Sequence, residues 1–360
     1  MKKIKKTICL ILCFCIGITL AACETPKEEK KGNKIKSIRI GISVYDYYDT
    51  FISELMDAFD IYVKSMETNK GITISVDLEN AAASQSVQNA QVEDFISNGC
   101  DVICVNLVDR TDPTMIIDKA KSANIPVVFF NRELVEEDLE RWNKLYYVGA
   151  VALESGIMEG KLVVDACKKE WNQIDKNGDG TLQYVMLEGE AGHQDSIVRT
   201  EYSVNTVAEA GYDVEKLAYA IANWNRAQAQ TKTSQWIEQL GERIEVIFSN
   251  NDDMALGAVD AYKSADIAYD KFPVIVGIDG TKAGMEAVKE GTMKGTVLND
   301  ENGQAKAMVE LCYSLVTGEK LMDNIHLEDG KYIRLPHKMV TQENLEELQK
   351  NETHNPNSIG

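Results

Sequence analysis

The chain is short of positive charge. Of its 360 residues, 38 are Lys or Arg and 57 are Asp or Glu, a formal charge of −19. An acidic protein repels a polyphosphate and gains nothing from counterion release, which argues against nucleic acid as a partner. Long apolar runs are lacking too. Ile8–Leu20 is about 13 residues, short of the ~20 that a membrane-spanning helix needs. No Cys-x-x-Cys occurs, and the four histidines (His193, His326, His337, His354) show no zinc-ligand spacing. No G-x-x-x-x-G-K-[ST] or G-x-G-x-x-G follows an apolar run, so a phosphate-cradling loop is missing. What remains is a globular composition, 44% hydrophobic and 26% charged. The length suggests two domains, because single cores stop growing near ~250–300 residues.

The one basic, apolar part is the beginning. Lys2, Lys3, Lys5 and Lys6 precede Ile8–Leu20, and Leu20-Ala21-Ala22-Cys23 follows. This order reads as an export signal over residues 1–22. Leu-Ala-Ala-Cys resembles the bacterial lipobox, which implies cleavage before Cys23 and lipid on its sulfur. Residues 23–37 are polar, rich in Lys and Glu, and read as a flexible linker. Without the signal the body carries 34 basic and 57 acidic residues, a charge of −23. Cys9, Cys13 and Cys15 leave with the signal, and Cys100, Cys104, Cys167 and Cys312 remain. Cys100 and Cys104 would lie ~13 Å apart on one strand, too far for a disulfide. The other pairings stay open, and the simplest role for all four is as small buried hydrophobes.

From Ile38 onward, short apolar runs alternate with amphipathic stretches. Ile38–Val44, Val102–Leu107 and Val127–Phe130 read as strands, with helices over Phe51–Ser65, Gln85–Asn98 and Met115–Ala123. Ile72–Leu78 alternates apolar and polar residues, which suggests a strand near an edge. The pattern restarts after Tyr146–Gly149 and runs to a last predicted strand, Lys331–Leu335. Strand–helix alternation of this kind predicts an α/β chain of doubly wound sheets, with ligands bound beyond the carboxyl ends of strands.

Those strand ends are polar and repetitive. Tyr45, Tyr47 and Asp49 follow the first strand, and Asn131 follows Phe129-Phe130. His193, Asp195 and Arg199 follow Leu187-Glu188-Gly189; Trp224 follows Tyr219; Asn250 and Asn251 follow Phe248-Ser249. Asp279 follows Gly277-Ile278, and Asn299 follows Leu298. Any one of these could be a helix N-cap; seven together point to a site. A rim of carboxylates, amides, Arg and His suits a neutral polyhydroxylated ligand, and Phe51 and Trp224 could lie against the apolar faces of a sugar.

Asp175-Lys176-Asn177-Gly178-Asp179-Gly180-Thr181-Leu182-Gln183 matches the opening of an EF-hand loop. The twelfth position, where an EF-hand has a bidentate Glu, is Met186, and the residues after the loop read as strand. The site is therefore not an EF-hand; either it is incomplete or a carboxylate comes from elsewhere. Calcium is the expected ion.

These residues together resemble the D-galactose/D-glucose-binding proteins of bacterial ABC transporters, a periplasmic-binding-protein type I family. Ile40–Ile42 through Asp49–Phe51, Val127–Asn131, Glu188–His193, Ser249–Asp252 and Gly295–Asp300 carry the likeness, which spans Ile38 to Leu348. The resemblance implies ten sugar-binding residues: Asp49, Phe51, Asn131, His193, Asp195, Arg199, Trp224, Asn251, Asp279 and Asn299. It implies that Phe51 and Trp224 sandwich the pyranose. It implies a structural calcium held by Asp175, Asn177, Asp179, Thr181, Gln183 and, from a distance, Glu245. It also implies two doubly wound parallel-sheet lobes joined by a three-segment hinge, with crossovers near Gly149–Val151, Leu298–Glu301 and Ile333–Pro336. The lobes are then 38–149 plus 301–333 and 150–300 plus 334–349, with a tail over 350–360.

The expected activity is binding of D-glucose or D-galactose and delivery to an ABC sugar permease, by a monomer tethered outside the membrane through Cys23. A lipid anchor suggests an organism without an outer membrane, or an anchored variant of a family best known as freely periplasmic. The same binding could serve a sensor that presents hexose to a chemoreceptor or other receptor. A glycoside hydrolase would need two carboxylates at a set separation, for which Asp49, Asp195 and Asp279 could be imagined. The many amides around them favour binding without chemistry. A sugar-responsive repressor shares the fold but needs a DNA-binding unit where the signal and linker stand.

Overall fold

The computed structural model describes residues 35–348. The export signal, Cys23, most of the linker and the 350–360 tail fall outside the described residues. The strands are β1 (Ser37–Val44), β2 (Thr73–Asn80), β3 (Val102–Val105), β4 (Val127–Phe130), β5 (Leu145–Ala150), β6 (Thr181–Glu188), β7 (Asp213–Ile221), β8 (Val246–Ser249), β9 (Val274–Asp279), β10 (Gly295–Leu298), β11 (Tyr332–Leu335) and β12 (Lys338–Val340). The helices are α1 (Thr50–Lys70), α2 (Gln85–Ser97), α3 (Thr114–Ala123), α4 (Glu136–Leu139), α5 (Ala152–Ile174), α6 (Gln194–Glu209), α7 (Arg226–Leu240), α8 (Asp252–Ser264), α9 (Lys282–Glu290) and α10 (Glu301–Thr317).

The strands form two six-stranded sheets, ordered β11-β5-β4-β3-β1-β2 and β12-β10-β9-β8-β6-β7. Composition explains the order. β3 (VICV) and β4 (VVFF) are apolar throughout and buried at every residue, as central parallel strands must be. Burying Phe129 and Phe130 stabilises the fold by ~1.5–3 kcal/mol each. β2 and β7 carry exposed polar residues and stand at the outer edges. All pairings are parallel except β10 with β12. That short antiparallel strand departs from the expected all-parallel sheets; the chain beyond it stays in the second lobe, where Leu345 packs with Met285, Leu298 and Val340.

Each sheet has the same winding. The chain leaves β1 towards β2 and then returns to β3 on its other side; β6, β7 and β8 repeat this. The polarity reversal opens a crevice at the carboxyl ends of β1 and β3 in one sheet and of β6 and β8 in the other.

Three connections join the lobes. Val151 separates β5 from α5, residues 299–300 separate β10 from α10, and residues 336–337 separate β11 from β12. Arg334 and Leu335 pair with Gly149 and Ala150 in the first sheet. Ala150, Arg334 and Leu335 therefore belong to the first lobe, a correction to boundaries at 149/150 and 333/334. The cause is the parallel ladder, which holds β11 to β5 until Pro336. Two of the connections are tied: Glu154 in the first turn of α5 accepts from both the backbone N–H and the Nδ1 of buried His337, each at 3.1 Å. Among the described residues no helix is long and apolar enough to cross a membrane.

Candidate ligand-binding site

Nine of the ten expected ligand residues line one cleft between the lobes. Asp49, Phe51 and Asn131 come from the first lobe; His193, Asp195, Arg199, Trp224, Asn251 and Asp279 come from the second. Counted out to its mouth, with open solvent included, the cleft holds about 350 Å³ of space. Asn299 stands one layer back. Its N–H donates to the Asp279 carbonyl at 2.9 Å and its Oδ1 accepts from Gln304 at 2.7 Å.

Several of these side chains cap helices as well. Asp49 caps α1, accepting from the Ile52 N–H at 3.0 Å, and Asn251 caps α8, accepting from the Met254 N–H at 3.0 Å. His193 caps α6: the Asp195 N–H donates to its Nδ1 at 3.1 Å. That bond fixes the neutral tautomer, with the proton on Nε2. N-cap and site residue are thus one role here. The cap occupies one acceptor and aims the rest of the side chain at the cleft, since helix N-termini meet there. Burial pushes the His193 imidazole down to about 3, with neighbouring Asp195 opposing the shift and Arg132, Arg199 and Arg110 adding to it. The ring is a neutral donor at any ordinary pH.

Arg199 is 5% exposed and organises the second wall. One guanidinium nitrogen meets Asp195 at 3.1 Å; another donates to the Asn250 carbonyl at 2.9 Å and lies 3.8 Å from Asp279. Its Nε is buried without a partner. Burial pushes the Asp279 carboxyl well above its ordinary range, against the pull of Arg199.

Three lining residues hold left-handed backbone: Asn131 at φ 59°, Trp224 at 60° and Asp279 at 125°. Each costs ~1–3 kcal/mol in a non-glycine residue and persists only where its surroundings over-determine it. For Asn131 those surroundings are explicit. Tyr147 donates its hydroxyl to the Asn131 carbonyl at 2.9 Å, and the Asn106 amide donates to its Oδ1 at 3.1 Å. The Asn131 N–H₂ is left as a donor. Trp224 lies over Gly189, where a Cβ would come within 2.2 Å of the indole. Only glycine permits that approach.

Sequence reasoning missed two lining residues, Tyr45 and Arg132. Tyr45 stands at the end of the first strand, where nothing in the sequence gives it a role. Its hydroxyl donates to Asp49 at 2.5 Å, and the Arg132 guanidinium lies 3.5 Å from its ring centroid. Arg132 also reaches across the lobes to Glu190 at 2.9 Å. On another flank Thr50 donates to Asp253 at 2.6 Å. These two bonds span the cleft and hold it closed. The available signal for Arg132 was its position directly after Asn131.

The acidic loop is also built. Both oxygens of Asp175 accept backbone N–H groups, from Gly178 and Asp179 on one side and Gly180 on the other, at 2.8–3.2 Å. Glu245 accepts from the N–H of Lys176 at 2.8 Å and of Gln183 at 2.9 Å, which brings the distant carboxylate to the loop. The amides of Asn177 and Gln183 converge on Asp179 Oδ2, both at 2.9 Å. Among the described residues no three His, Cys, Asp or Glu side chains are gathered as a metal site.

A family model described as a periplasmic binding protein domain matches residues 40–320. The chain belongs to this family. As a periplasmic binding protein it is a binding module and not an enzyme, and its two-lobed α/β architecture is the type I fold of that family. It is 37% identical over 313 residues to the D-galactose/methyl-galactoside binding periplasmic protein of Haemophilus influenzae, covering 85% of this chain and 90% of the relative. It is 30% identical over 312 residues to a putative rhizopine-binding protein of Rhizobium meliloti, covering 86% and 92%. Among solved structures, an ABC transporter solute binding protein from Bacillus halodurans with bound myo-inositol superposes with a TM-score of 0.72 at 27% identity, over 89% of this chain and 99% of that one.

Proposed function

We propose that this periplasmic binding protein binds one hexose, D-glucose or D-galactose, in the cleft and delivers it to an ABC permease. One observation carries the reading: Phe51, Trp224 and seven hydrogen-bonding residues from both lobes face one cleft. The donor set matches a ring of hydroxyls. The Asn131 and Asn251 amides, His193 Nε2 and Arg199 donate; Asp49, Asp195 and Asp279 accept. Phe51 and Trp224, on opposite lobes, supply apolar faces for the C–H faces of a pyranose. A hydroxyl that differs in configuration between two hexoses can still donate to a carboxylate. A relative named for galactose and methyl-galactoside supports the substrate class.

Closure follows from the division of the set. Each lobe alone offers part of the hydrogen bonds, so sugar stabilises the closed form selectively. Hexose should change the fluorescence of Trp224 and reduce the scattering radius, and Trp224→Phe should remove the fluorescence change. No change in either reading contradicts closure.

Residues 175–183 with Glu245 are proposed to hold a structural calcium. Carboxylates at Asp175, Asp179 and Glu245, amides at Asn177 and Gln183, and the Thr181 carbonyl are hard oxygen donors of the type calcium takes. A half-turn of the Asn177 and Gln183 amides exchanges N–H for oxygen beside Asp179. The ion would fasten the end of α5 to the start of β6. The lipobox-like Leu20–Cys23 supports an anchor at Cys23 on the outer face of the membrane.

A further inference from the structure

We propose that Cys104 and Cys312 are a site of oxidative modification, joined as an intrachain disulfide while the chain folds outside the cytoplasm. Cys104 is the third residue of β3, at the centre of the first sheet. Cys312 lies on the buried side of α10, which packs against that sheet. Their sulfurs are 3.4 Å apart, and both residues are fully buried. A disulfide needs ~2.0 Å between sulfurs, so the pair must close by about 1.4 Å. Small rotations of two side chains can supply that, with the strand and helix in place.

The other two cysteines offer no rival geometry. Cys167 sits in the core of the second lobe, and Cys100 precedes β3. Among the described residues no other pair of cysteine sulfurs is in contact. The compartment agrees, since members of this family work outside the cytoplasm, where disulfides persist.

The chemistry balances with an oxidant of the disulfide class, either a small-molecule disulfide or the disulfide of an exported thiol oxidoreductase. A thiolate of one cysteine attacks the oxidant and forms a mixed disulfide. The second thiolate displaces the oxidant's remaining sulfur. Two protein S–H bonds and the oxidant's S–S bond break, and one protein S–S bond forms. The two electrons and two protons pass to the oxidant, which leaves as two thiols. The order of events follows from burial. In the folded protein neither sulfur can meet an oxidant, and burial beside a second thiol disfavours the Cys104 thiolate. Oxidation therefore precedes the docking of α10, and the finished bond is shielded from reductant.

The positions give the bond a purpose. They are 208 residues apart, and the loop between them contains nearly the whole second lobe. The link would fasten the returning helix α10 to the first sheet, so that opening of the second lobe does not release the first. It would leave the hinge free, because both ends lie in one lobe.

The test is differential alkylation of the full chain refolded from denaturant, once in glutathione buffer containing the oxidised form and once in reductant alone. After denaturation, free thiols take one isotopic label; reduction then exposes bonded thiols to a second. The expected result is near-complete second label on Cys104 and Cys312 after oxidative refolding, with first label on Cys100 and Cys167. The oxidised protein should also melt higher than the reduced one, and this difference should vanish in Cys312→Ala and in Cys104→Ala. First label on both cysteines after oxidative refolding overturns the proposal. So does a link from either one to Cys100 or Cys167, or an oxidation-dependent rise in melting that survives in both variants.

Discussion

The cleft and the acidic loop are both clusters of carboxylates and amides, yet they are put together in opposite ways. In the cleft, hydrogen bonds at the back of each side chain hold it and leave its front free. The Asn131 Oδ1 is engaged by Asn106, which leaves its amide nitrogen as a donor; the Asn251 Oδ1 is engaged by a backbone N–H, and its amide nitrogen donates one bond to the Trp224 carbonyl at 3.4 Å, with a second N–H to spare. Three strained backbone positions and a close Trp224–Gly189 contact fix the walls before any ligand arrives. In the loop the polar groups satisfy one another: Asp175 and Glu245 are engaged by backbone N–H groups and Asp179 by two amides. The cleft is preorganised and needs only closure. The loop must turn its amides to accept an ion.

Arg199 carries the largest expected effect. Removing it leaves buried Asp279 and half-buried Asp195 without their cation, and breaking a buried pair costs ~3–5 kcal/mol. Arg199→Met should lower the unfolding free energy by about that much in a denaturant titration and abolish hexose binding. A variant as stable as the parent would show that the wall does not depend on this residue. Next is Trp224→Ala, which deletes an anchor of the cleft. Loss of such an anchor costs ~2–4 kcal/mol in binding, read by calorimetry as a thirtyfold or greater weakening. A change below threefold would show that the indole is not a wall of the sugar site.

The loop responds to a different agent. Chelator should lower the thermal midpoint of the protein, by mass action about 2.7 kcal/mol for calcium at a hundred times its dissociation constant. Asp179→Ala should melt identically with and without chelator. Chelator sensitivity that survives in this variant would move the ion elsewhere.

The smallest effect concerns His193. In the closed cleft its imidazole is held down to about 3 by burial, with Arg132, Arg199 and Arg110 adding to the shift. The open form can take a proton near the ordinary value of ~6.5, and the closed form refuses it. Hexose affinity is therefore unaffected by this group above pH ~6.5 and falls below it, by at most tenfold per unit. The Asp279 carboxyl, pushed up by burial, titrates with the opposite sign. The informative quantity is thus the difference between the parent and His193→Asn. Parallel pH profiles would show that closure does not bury the ring.

Much of this was legible in the sequence because periodicity and strand-end chemistry are local. β2 reads as an edge strand from alternation alone, and lies at the edge. Asp49, His193 and Asn251 stand where helices begin, and the same spacing that makes them caps brings them to the cleft. What stayed hidden depends on distance. Arg132 gains its role from Tyr45 and from Glu190 in the other lobe, and its only local sign is its place directly after Asn131. Asn299 follows a strand as the others do, yet its neighbour Asp279 occupies the front position. β12 is three residues long and is paired only because β10 presents a free edge. The contact of Cys104 with Cys312 joins residues 208 apart and left no mark on either segment.

Whether the cleft selects one hexose is decided by calorimetric titration with glucose, galactose, xylose, ribose and arabinose. The expected result is tight binding of one molecule of glucose or galactose per chain, with the pentoses much weaker. Tight binding of ribose with no detectable hexose binding would contradict it.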